Sequence, residues 1–289
     1  MKWIVAASEA GLALQLFLKE KLGANWSVKQ IKRALEANAC KVNGSIERFG
    51  SRRVDKGALI EFHAAAPKAA FPKKAVILFE DEWVMACNKP AGMVCSEEGL
   101  KKYFTPAQGR LELVHRLDRD TTGILLLAKT GACREALETL FRKREVHKSY
   151  LALVDGKVLQ EKGVIHNYLF KAGAFEGQTI WRGTNDKAGL EAVSSWERVA
   201  IGKGCTLLRF FPKTGRTHQI RVHCSGMGHP ILGDAQYARQ FICGYPAGRV
   251  FLHAEKIAFT HPFTGKELQL QIAPPEDFQN ACQELGIRV

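Results

Sequence analysis

The chain has 289 residues, of which 46% are hydrophobic, so it is longer than an average single domain and can bury a large core. Its formal net charge of +13 favours nucleic acid or an anionic membrane surface over an acidic protein as the partner. Every apolar run is far shorter than the roughly 20 residues of a spanning helix, and Glu9 interrupts the N-terminal run. We therefore expect neither a membrane protein nor a secretory signal.

The eight cysteines include no Cys-x-x-Cys pair and no zinc-like spacing, so we expect free thiols, no metal and a cytoplasmic protein.

Two short helices are predicted at the start of the chain. Apolar residues recur at helical spacing from Leu12 to Leu22. Ser27 and Gln30 then form a Ser-x-x-Gln capping box, which predicts the start of a second helix. An apolar stripe on this second helix is predicted to face the core, and it consists of Val28, Ile31 and Leu35.

Residues 1–63 are predicted to form a basic unit, with eleven Lys and Arg against six Asp and Glu. The second helix carries cations on a side apart from its apolar stripe, and Asn43-Gly44 predicts a β-hairpin that is followed by further arginines. Helix and hairpin are both basic, so we interpret the unit as a surface for phosphate groups. Its predicted contacts are Lys29, Lys32, Arg33, Arg52 and Arg53.

Residues 64–75 are predicted to be a linker, because they lack periodicity and hold two prolines and three lysines without an acid. A second, mixed domain is predicted over 76–289. Its predicted elements are strands at 76–79 and 84–87, a strand at 124–127 after the polar loop 118–122, a helix at 133–143, strands at 150–154 and 205–211, and a helix at 217–225 that Thr217 caps and Gly226 stops.

The loop before residue 124 carries the strongest chemical signal. Asp118 and Asp120 lie two positions apart, so an extended backbone would point both carboxylates to one side. Three chemistries fit: a carboxylate pair that hydrolyses a glycosidic bond, an Asp-x-Asp site for Mg²⁺, or one nucleophilic aspartate whose neighbour caps the loop. Arg116 and Arg119 should keep both groups ionised and repel a divalent cation, so we expect no metal site.

A second basic stretch, 198–233, has six Lys or Arg, three histidines and no acid, which indicates an anionic partner. Within it, a Gly-containing turn at 213–217 precedes the predicted helix, whose N-terminus favours phosphate or carboxylate. Arg216 and His218 are the predicted contacts there. We interpret His218 and His223 as hydrogen-bonded supports, since a lone histidine is more often a support than a catalyst.

Three blocks, taken in order, resemble the RluA family of pseudouridine synthases, and the match spans nearly the whole chain. They lie at 79–92 (through Asn-Lys-Pro-Ala-Gly), at 115–123 (His-Arg-Leu-Asp, then Thr-Gly), and at 215–234 (Gly-Arg-Thr-His-Gln-Ile-Arg-Val-His, then Gly-His-Pro-Ile-Leu-Gly-Asp). The resemblance implies an α+β catalytic domain with a mixed, largely antiparallel sheet and flanking helices. Residues 1–63 resemble a small α+β RNA-binding domain first named from a ribosomal protein, although Gly11-Leu12-Ala13 replaces its usual Arg-Leu-Asp.

The resemblance also implies a reaction and roles for residues. Asp118 would be the catalytic aspartate, Arg221 its basic partner and Tyr150 the active-site tyrosine, while Arg116 would help to displace the target base. Arg119 is expected to contact RNA. The implied reaction isomerises uridine to pseudouridine without a cofactor, in RNA that we expect to be ribosomal, and we expect a monomer. The alternatives are a tRNA-directed synthase of the same family, a non-catalytic RNA-binding or ribosome-assembly factor, and a metal-dependent nuclease.

Overall fold

The computed structural model describes residues 1–23, 26, 28–36, 38–63, 75–104, 110–175, 178–238 and 240–288. These residues form two separate sheets, and the smaller sheet has a hydrophobic core of its own. The predicted mixed, largely antiparallel α+β architecture is confirmed. Ser27 and residues 64–74 of the predicted linker lie outside the described residues. No helix in the described part of the chain is both long and apolar enough to cross a membrane.

The smaller sheet and two helices occupy residues 1–63. Their elements are β1 (Lys2–Ile4), a 3₁₀ turn (Ala7–Glu9), α1 (Leu14–Leu22), α2 (Val28–Glu36), β2 (Cys40–Val42), β3 (Ser45–Ile46) and β4 (Leu59–Phe62). The strand order is β1-β4-β2-β3, and all pairs are antiparallel. Both helices cover the sheet with apolar faces, so that Phe17, Leu18, Ile31 and Leu35 are fully buried.

The predicted hairpin is confirmed, because Asn43 and Gly44 have positive φ angles of 51° and 81° and connect β2 to β3. The prediction that helices open the chain was wrong, since β1 precedes them and pairs with β4. Helix α1 starts at Leu14 rather than residue 12, because Ala13 still forms an extended bridge with Arg53. Val28 was also assigned wrongly to the core: it is the first residue of α2 and is 40% exposed.

The larger sheet begins with two antiparallel strands that match the strands predicted at 76–79 and 84–87. Its elements are β5 (Val76–Glu80), β6 (Val84–Lys89), α3 (Glu97–Tyr103), β7 (Glu112–Leu113), β8 (Thr122–Ala128), α4 (Gly131–Lys143), β9 (His147–Asp155), β10 (Lys162–Phe175), β11 (Gln178–Thr184), β12 (Leu190–Ile201), β13 (Cys205–Pro212), α5 (Gln219–Gly226), β14 (Leu252–Thr260), β15 (Glu267–Gln271) and α6 (Glu276–Glu284). The order is β11-β10-β12-β13-β9-β14-β8-β6-β5, with β15 on β14 and β7 on β8. Strands β8 and β14 are parallel, and the other pairs are antiparallel.

Strand β8 lies deep in this sheet, and all seven of its residues are buried. Gly123 has a φ of +110°, and a Cβ atom there would lie 2.1 Å from the carbonyl oxygen of Ala254. Glycine therefore lets β8 and β14 approach closely where the chain leaves the loop that carries Asp118. Strand β9 lies between β13 and β14, which places Tyr150 opposite Phe210 and Ala254.

The start of α5 differs from the prediction. Thr217 does not cap the helix, because His218 occupies the capping position in a left-handed conformation with a φ of 57°. The Gln219 side chain stabilises this turn instead: its Oε1 atom accepts hydrogen bonds from the Arg216 amide at 3.0 Å and the Thr214 hydroxyl at 2.7 Å. The predicted end of the helix at Gly226 is confirmed.

Candidate active site

Asp118 and Arg221 meet although 103 positions separate them in the chain. Asp118 stands in the loop before β8, and Arg221 lies in the first turn of α5. The Nη1 atom of Arg221 donates to Oδ2 of Asp118 at 3.3 Å. The side chain of Asp118 is 26% exposed and that of Arg221 only 8%. The cation of the pair is therefore buried, and the carboxylate is partly open to the cleft.

Arg221 is itself held by a second, buried carboxylate. Its Nε and Nη2 atoms donate to the two oxygens of Asp234 at 2.7 and 2.8 Å, and Nη2 also donates to Gln236 at 2.8 Å. Burial alone disfavours the guanidinium charge, but Asp234 and Asp118 outweigh it and raise the pKa of Arg221. The cation beside Asp118 is therefore permanent.

His218 and Tyr237 form the adjoining wall. His218 Nδ1 and the Tyr237 hydroxyl are 2.8 Å apart, and His218 Nε2 lies 3.9 Å from Asp118. Burial lowers the pKa of His218. Tyr237 also accepts from the Trp181 amide at 3.1 Å, and its ring lies under Arg221 at 4.9 Å from the guanidinium carbon. These contacts agree with the interpretation of His218 as a hydrogen-bonded support.

Tyr150 lines the same cleft from β9. Its ring packs between two hydrophobic clusters, one of which includes Leu117 and Ala254. Burial raises the pKa of the Tyr150 phenol well above its ordinary value, and the charge of Asp118 adds to the effect. The side chain is therefore a neutral phenol on a strand, in the cleft that Asp118 also lines.

The two aspartates of the loop do not act as a matched pair. Thr121 N donates to the carbonyl of Asp118 at 3.1 Å, so the segment is a turn and not the extended strand that the sequence interpretation assumed. Asp120 turns to Arg119, with 3.2 Å between Oδ2 and Nη2. The structure thus separates the carboxylate that faces Arg221 from its neighbour.

Buried cations hold the three carbonyls that follow Asp118. Lys89 Nζ donates to the carbonyls of Arg119 and Thr121 at 2.9 and 2.8 Å, and Arg249 Nη1 donates to that of Asp120 at 3.3 Å. Burial lowers the pKa of Lys89 to about 8. A turn bound at every carbonyl is rigid, so Asp118 is presented from a fixed backbone.

The cleft around Asp118 has a volume of about 1290 Å³ and is strongly basic. Nine Lys or Arg residues line it against two Asp, which attracts a polyanion. The basic lining residues are Arg116, Arg119, Arg142, Arg144, Lys148, Lys171, Lys213, Arg216 and Arg221. Arg216 is exposed there, and its Nε donates to the carbonyl of Glu191 at 2.9 Å.

The structure brings together seven of the predicted site residues, namely Arg116, Asp118, Arg119, Tyr150, Arg216, His218 and Arg221. The predicted contacts in residues 1–63 are not among the residues that line the cleft. Arg33, Arg52 and Lys32 are exposed on the small unit, and Arg53 is exposed with its Nη1 donating to the carbonyl of Gly11. The side chain of Lys29 lies outside what the structure describes.

Sequence reasoning missed Lys148 as a site residue. It lies two positions before Tyr150 in β9, and its ammonium stands 5.6 Å from the centre of the Phe141 ring. Burial lowers the pKa of Lys148 to about 8. The strand alternation that puts residues i and i+2 on one face was the signal available, because it places Lys148 beside Tyr150.

Comparison with known proteins identifies the family. The model of the RNA pseudouridylate synthase family matches residues 83–226. The ribosomal large subunit pseudouridine synthase C of Escherichia coli (strain K12) is 34% identical over 309 residues, which cover 97% of this chain and 95% of that protein. The chain belongs to the RNA pseudouridylate synthase family. It is a pseudouridine synthase and hence an isomerase, which confirms the resemblance to the RluA group.

Two further comparisons agree with this assignment. The enzyme of the same name from Vibrio vulnificus (strain CMCP6) is 36% identical to this pseudouridine synthase over 222 residues, covering 73% of this chain and 69% of that protein. The solved structure of human RNA Pseudouridylate Synthase Domain Containing 4 superposes with a TM-score of 0.61 at 23% identity, over 74% of this chain and 94% of that one. The structural comparison shows that the fold is shared.

Proposed function

We propose that this pseudouridine synthase isomerises specific uridines of large-subunit ribosomal RNA, with Asp118 as the catalytic carboxylate. The observation that carries the assignment of the residue is the contact between Asp118 and the buried Arg221 at the floor of a basic cleft. The target is supported by the names of the Escherichia coli and Vibrio vulnificus relatives, which act on the large ribosomal subunit.

The reaction breaks the bond between uracil nitrogen and ribose, turns the base and rejoins it through carbon. An ionised carboxylate starts this sequence, either by attack on the anomeric carbon or by removal of a proton from the sugar. Asp118 suits both routes, because Arg221 supplies a permanent positive charge on one side and the other side is open. The exchange of one glycosidic bond for another involves neither net redox change nor phosphoryl transfer.

Tyr150 packs against the displaced uracil in this proposal. The neutral phenol offers an aromatic face for stacking and a hydroxyl for proton transfer within the cleft. Arg116 stands exposed in the same loop and helps to displace the base from its helix, a step that takes a few kcal/mol and is offset by stacking and edge contacts.

The RNA backbone binds to two basic surfaces in this proposal. Arg119, Lys148 and Arg216 line the cleft and bind phosphate groups there, and His218 supports its wall. The small unit, residues 1–63, binds RNA through its exposed cations, including Lys32, Arg33, Arg52 and Arg53, with Lys29 assigned from its place in the sequence. We also assign residues 1–63 to a small RNA-binding domain and residues 76–289 to a catalytic domain.

We also propose that the enzyme acts as a monomer in the cytoplasm. The eight cysteines of the chain are buried and free, as in a reducing compartment. Light scattering of the purified protein, with and without RNA, measures the oligomeric state. A dimer at micromolar concentration would contradict the first part.

Tritium release from RNA labelled at carbon 5 of uridine tests the role of Asp118, because that hydrogen leaves when the new carbon–carbon bond forms. We expect Asp118→Asn to reduce release by roughly three orders of magnitude or more while RNA affinity stays within twofold. Asp120→Asn, in the same loop, is the matched control and should retain most activity. Undiminished release by the Asp118 variant would refute the assignment.

Mapping pseudouridines in total RNA from cells with and without the protein tests the target. We expect the missing positions to lie in large-subunit ribosomal RNA and to return when the gene is restored. Loss of positions in transfer RNA alone would instead identify a tRNA-directed synthase. Intact pseudouridine everywhere, with RNA binding retained, would support a non-catalytic RNA-binding role.

A further inference from the structure

Arg48 of the small unit contacts two residues from the part of the chain that forms the larger sheet, Ala238 and Phe241. It follows the β2–β3 hairpin, and Asn38 Oδ1 accepts from its Nε at 2.6 Å. Its Nη1 donates to the carbonyl of Ala238 at 3.3 Å, and its guanidinium carbon stands 4.9 Å from the centre of the Phe241 ring. The contact joins positions 190 residues apart.

The segment that Arg48 contacts also holds Arg221, the partner of Asp118. We call residues 234–238 and 240–243 the bridging segment. At its start, Asp234 and Gln236 bind the Arg221 guanidinium. The Tyr237 ring packs against that guanidinium, and its hydroxyl is hydrogen-bonded to His218. The carbonyl of the next residue, Ala238, accepts a hydrogen bond from Arg48. One peptide unit therefore separates a group in contact with Arg221 from a group in contact with the small unit.

The far end of the bridging segment is anchored as well. Both oxygens of the buried Asp155 accept backbone hydrogen bonds, from Ile242 at 2.8 Å and from Cys243 at 2.7 Å. Burial lowers the pKa of the Arg48 guanidinium, and the charge of Asp155 opposes that effect only in part. Arg48 thus lies where a ring and a carbonyl of the larger unit converge, which is a docking contact with defined geometry.

We propose that Arg48 is a positioning residue that couples docking of the small unit to the Asp118–Arg221 pair through the bridging segment. When Arg48 is seated on Ala238 and Phe241, the segment keeps Tyr237 and Gln236 in contact with Arg221. The RNA that the small unit recruits is then isomerised by a cleft that the same unit has helped to order. This inference rests on the proposed function, because its readout is isomerisation.

The alternative role for Arg48 is direct binding of an RNA phosphate, and its surroundings argue against that. The guanidinium is half-buried, one face covers Phe241, and Nη2 is buried without a hydrogen-bond partner among the described residues. Arg53, by contrast, is an exposed arginine of the same unit. The two residues therefore make a matched pair for experiment, equal in charge and different in contact.

The test compares steady-state tritium release by the full chain on labelled total RNA from cells that lack the protein. We expect Arg48→Ala to lower kcat about tenfold at saturating RNA, with RNA affinity within twofold and an unchanged salt dependence. Arg48→Lys should recover part of that loss. Arg53→Ala should instead lower RNA affinity and its salt slope. A double variant, Arg48→Ala with Gln236→Ala, should lose less than the product of the two single losses.

Two results would overturn the inference. If Arg48→Ala lowers affinity and its salt slope as Arg53→Ala does, Arg48 is a phosphate contact. If Arg48→Ala changes neither kcat nor affinity, the contact between Arg48 and Ala238 has no effect on the Asp118–Arg221 pair. Should Arg48→Ala fail to fold, Phe241→Leu removes the ring under the guanidinium and must show the same loss of kcat. Failure of the proposed ribosomal target would be seen separately. The wild-type enzyme would then release tritium from an RNA fraction other than ribosomal RNA, and the comparison of the Arg48 and Arg53 variants would still hold.

Discussion

Arg221 binds Asp234 through two hydrogen bonds, of 2.7 and 2.8 Å, but binds Asp118 through a single one of 3.3 Å. Asp234 therefore fixes the position of the Arg221 guanidinium, and Asp118 contacts a cation whose position is already set. This asymmetry leaves Asp118 with an oxygen available for chemistry. It also makes Asp234 the residue on which the geometry of the pair depends.

Asp234→Asn should therefore reduce both activity and stability. Asp234 is 1% exposed, and loss of its charge leaves the buried guanidinium without its main partner. We expect kcat to fall roughly 10- to 100-fold and the free energy of unfolding to fall by about 3–5 kcal/mol. Tritium release and urea titration measure the two effects. Asp55→Asn, at an exposed turn of the small unit, should change neither; wild-type kcat in the Asp234 variant would disprove the dependence.

Elements with a local signal were predictable. Asn43-Gly44 requires positive φ angles and specifies a tight hairpin, and the apolar run 124–127 marks a buried strand. Thr217 shows where local reasoning fails: its sequence suits a cap, but the Gln219 side chain binds Thr214 and Arg216 and moves the start of the helix. Strand β1 is too short to show periodicity, and its pairing with β4 lies about sixty residues away.

The site was predictable where a family motif supplied it and unpredictable where the fold did. Asp118, Tyr150 and Arg221 came from motif positions, and the structure brings the three together. Residue type and spacing alone left Asp118 and Asp120 equivalent, and the turn after Asp118 sends one toward Arg221 and the other toward Arg119. The contact of Arg48 with Ala238 depends on tertiary packing, for which a single sequence carries no periodic signal.

Lys148 should give the enzyme a pH dependence. Burial lowers the pKa of its ammonium to about 8, so the free enzyme carries this charge below pH 8 and loses it above. We expect kcat/KM to decline as pH rises through about 8, because a neutral amine attracts phosphate less strongly. Lys148→Arg keeps its charge to much higher pH and should remove the decline. An identical decline in the Lys148→Arg variant would assign the effect to another group, such as Lys89.

Arg249 should position the turn after Asp118 from the C-terminal helix. Asp277 in α6 binds Arg249 at 2.7 and 2.9 Å, and Arg249 in turn binds the carbonyl of Asp120. We expect Asp277→Asn to lower kcat about tenfold with little change in RNA affinity, because the turn loses one of its supports. Glu276→Gln, the adjacent exposed acid of the same helix turn, serves as the control. Equal kcat for the two variants would show that the turn is held without Arg249.

The exposed arginines of the small unit should act through affinity alone. Arg33→Ala removes one cation from α2 and leaves the cleft intact, so we expect weaker RNA binding and unchanged kcat. The slope of log affinity against log salt should fall by about one for each phosphate contact that is lost. Fluorescence anisotropy over a salt series measures this slope. Lys266→Ala, in the β14–β15 turn, is the control, and a wild-type slope for Arg33→Ala would remove α2 from the RNA surface.

Gly123→Ala should destabilise the fold more than any comparable substitution on the surface. A Cβ atom at this position would lie 2.1 Å from the Ala254 carbonyl oxygen, and the φ of +110° is unfavourable for alanine. Relief of the clash requires β8 and β14 to separate beside Asp118, so we expect a loss of about 3 kcal/mol or more in unfolding free energy. Chemical denaturation followed by far-UV circular dichroism measures that loss. Gly131→Ala, at the start of α4 with open space around it, is the matched control and should be neutral or stabilising by about 0.5 kcal/mol. Equal stability of the two variants would mean that the close approach of β8 and β14 does not constrain the sheet.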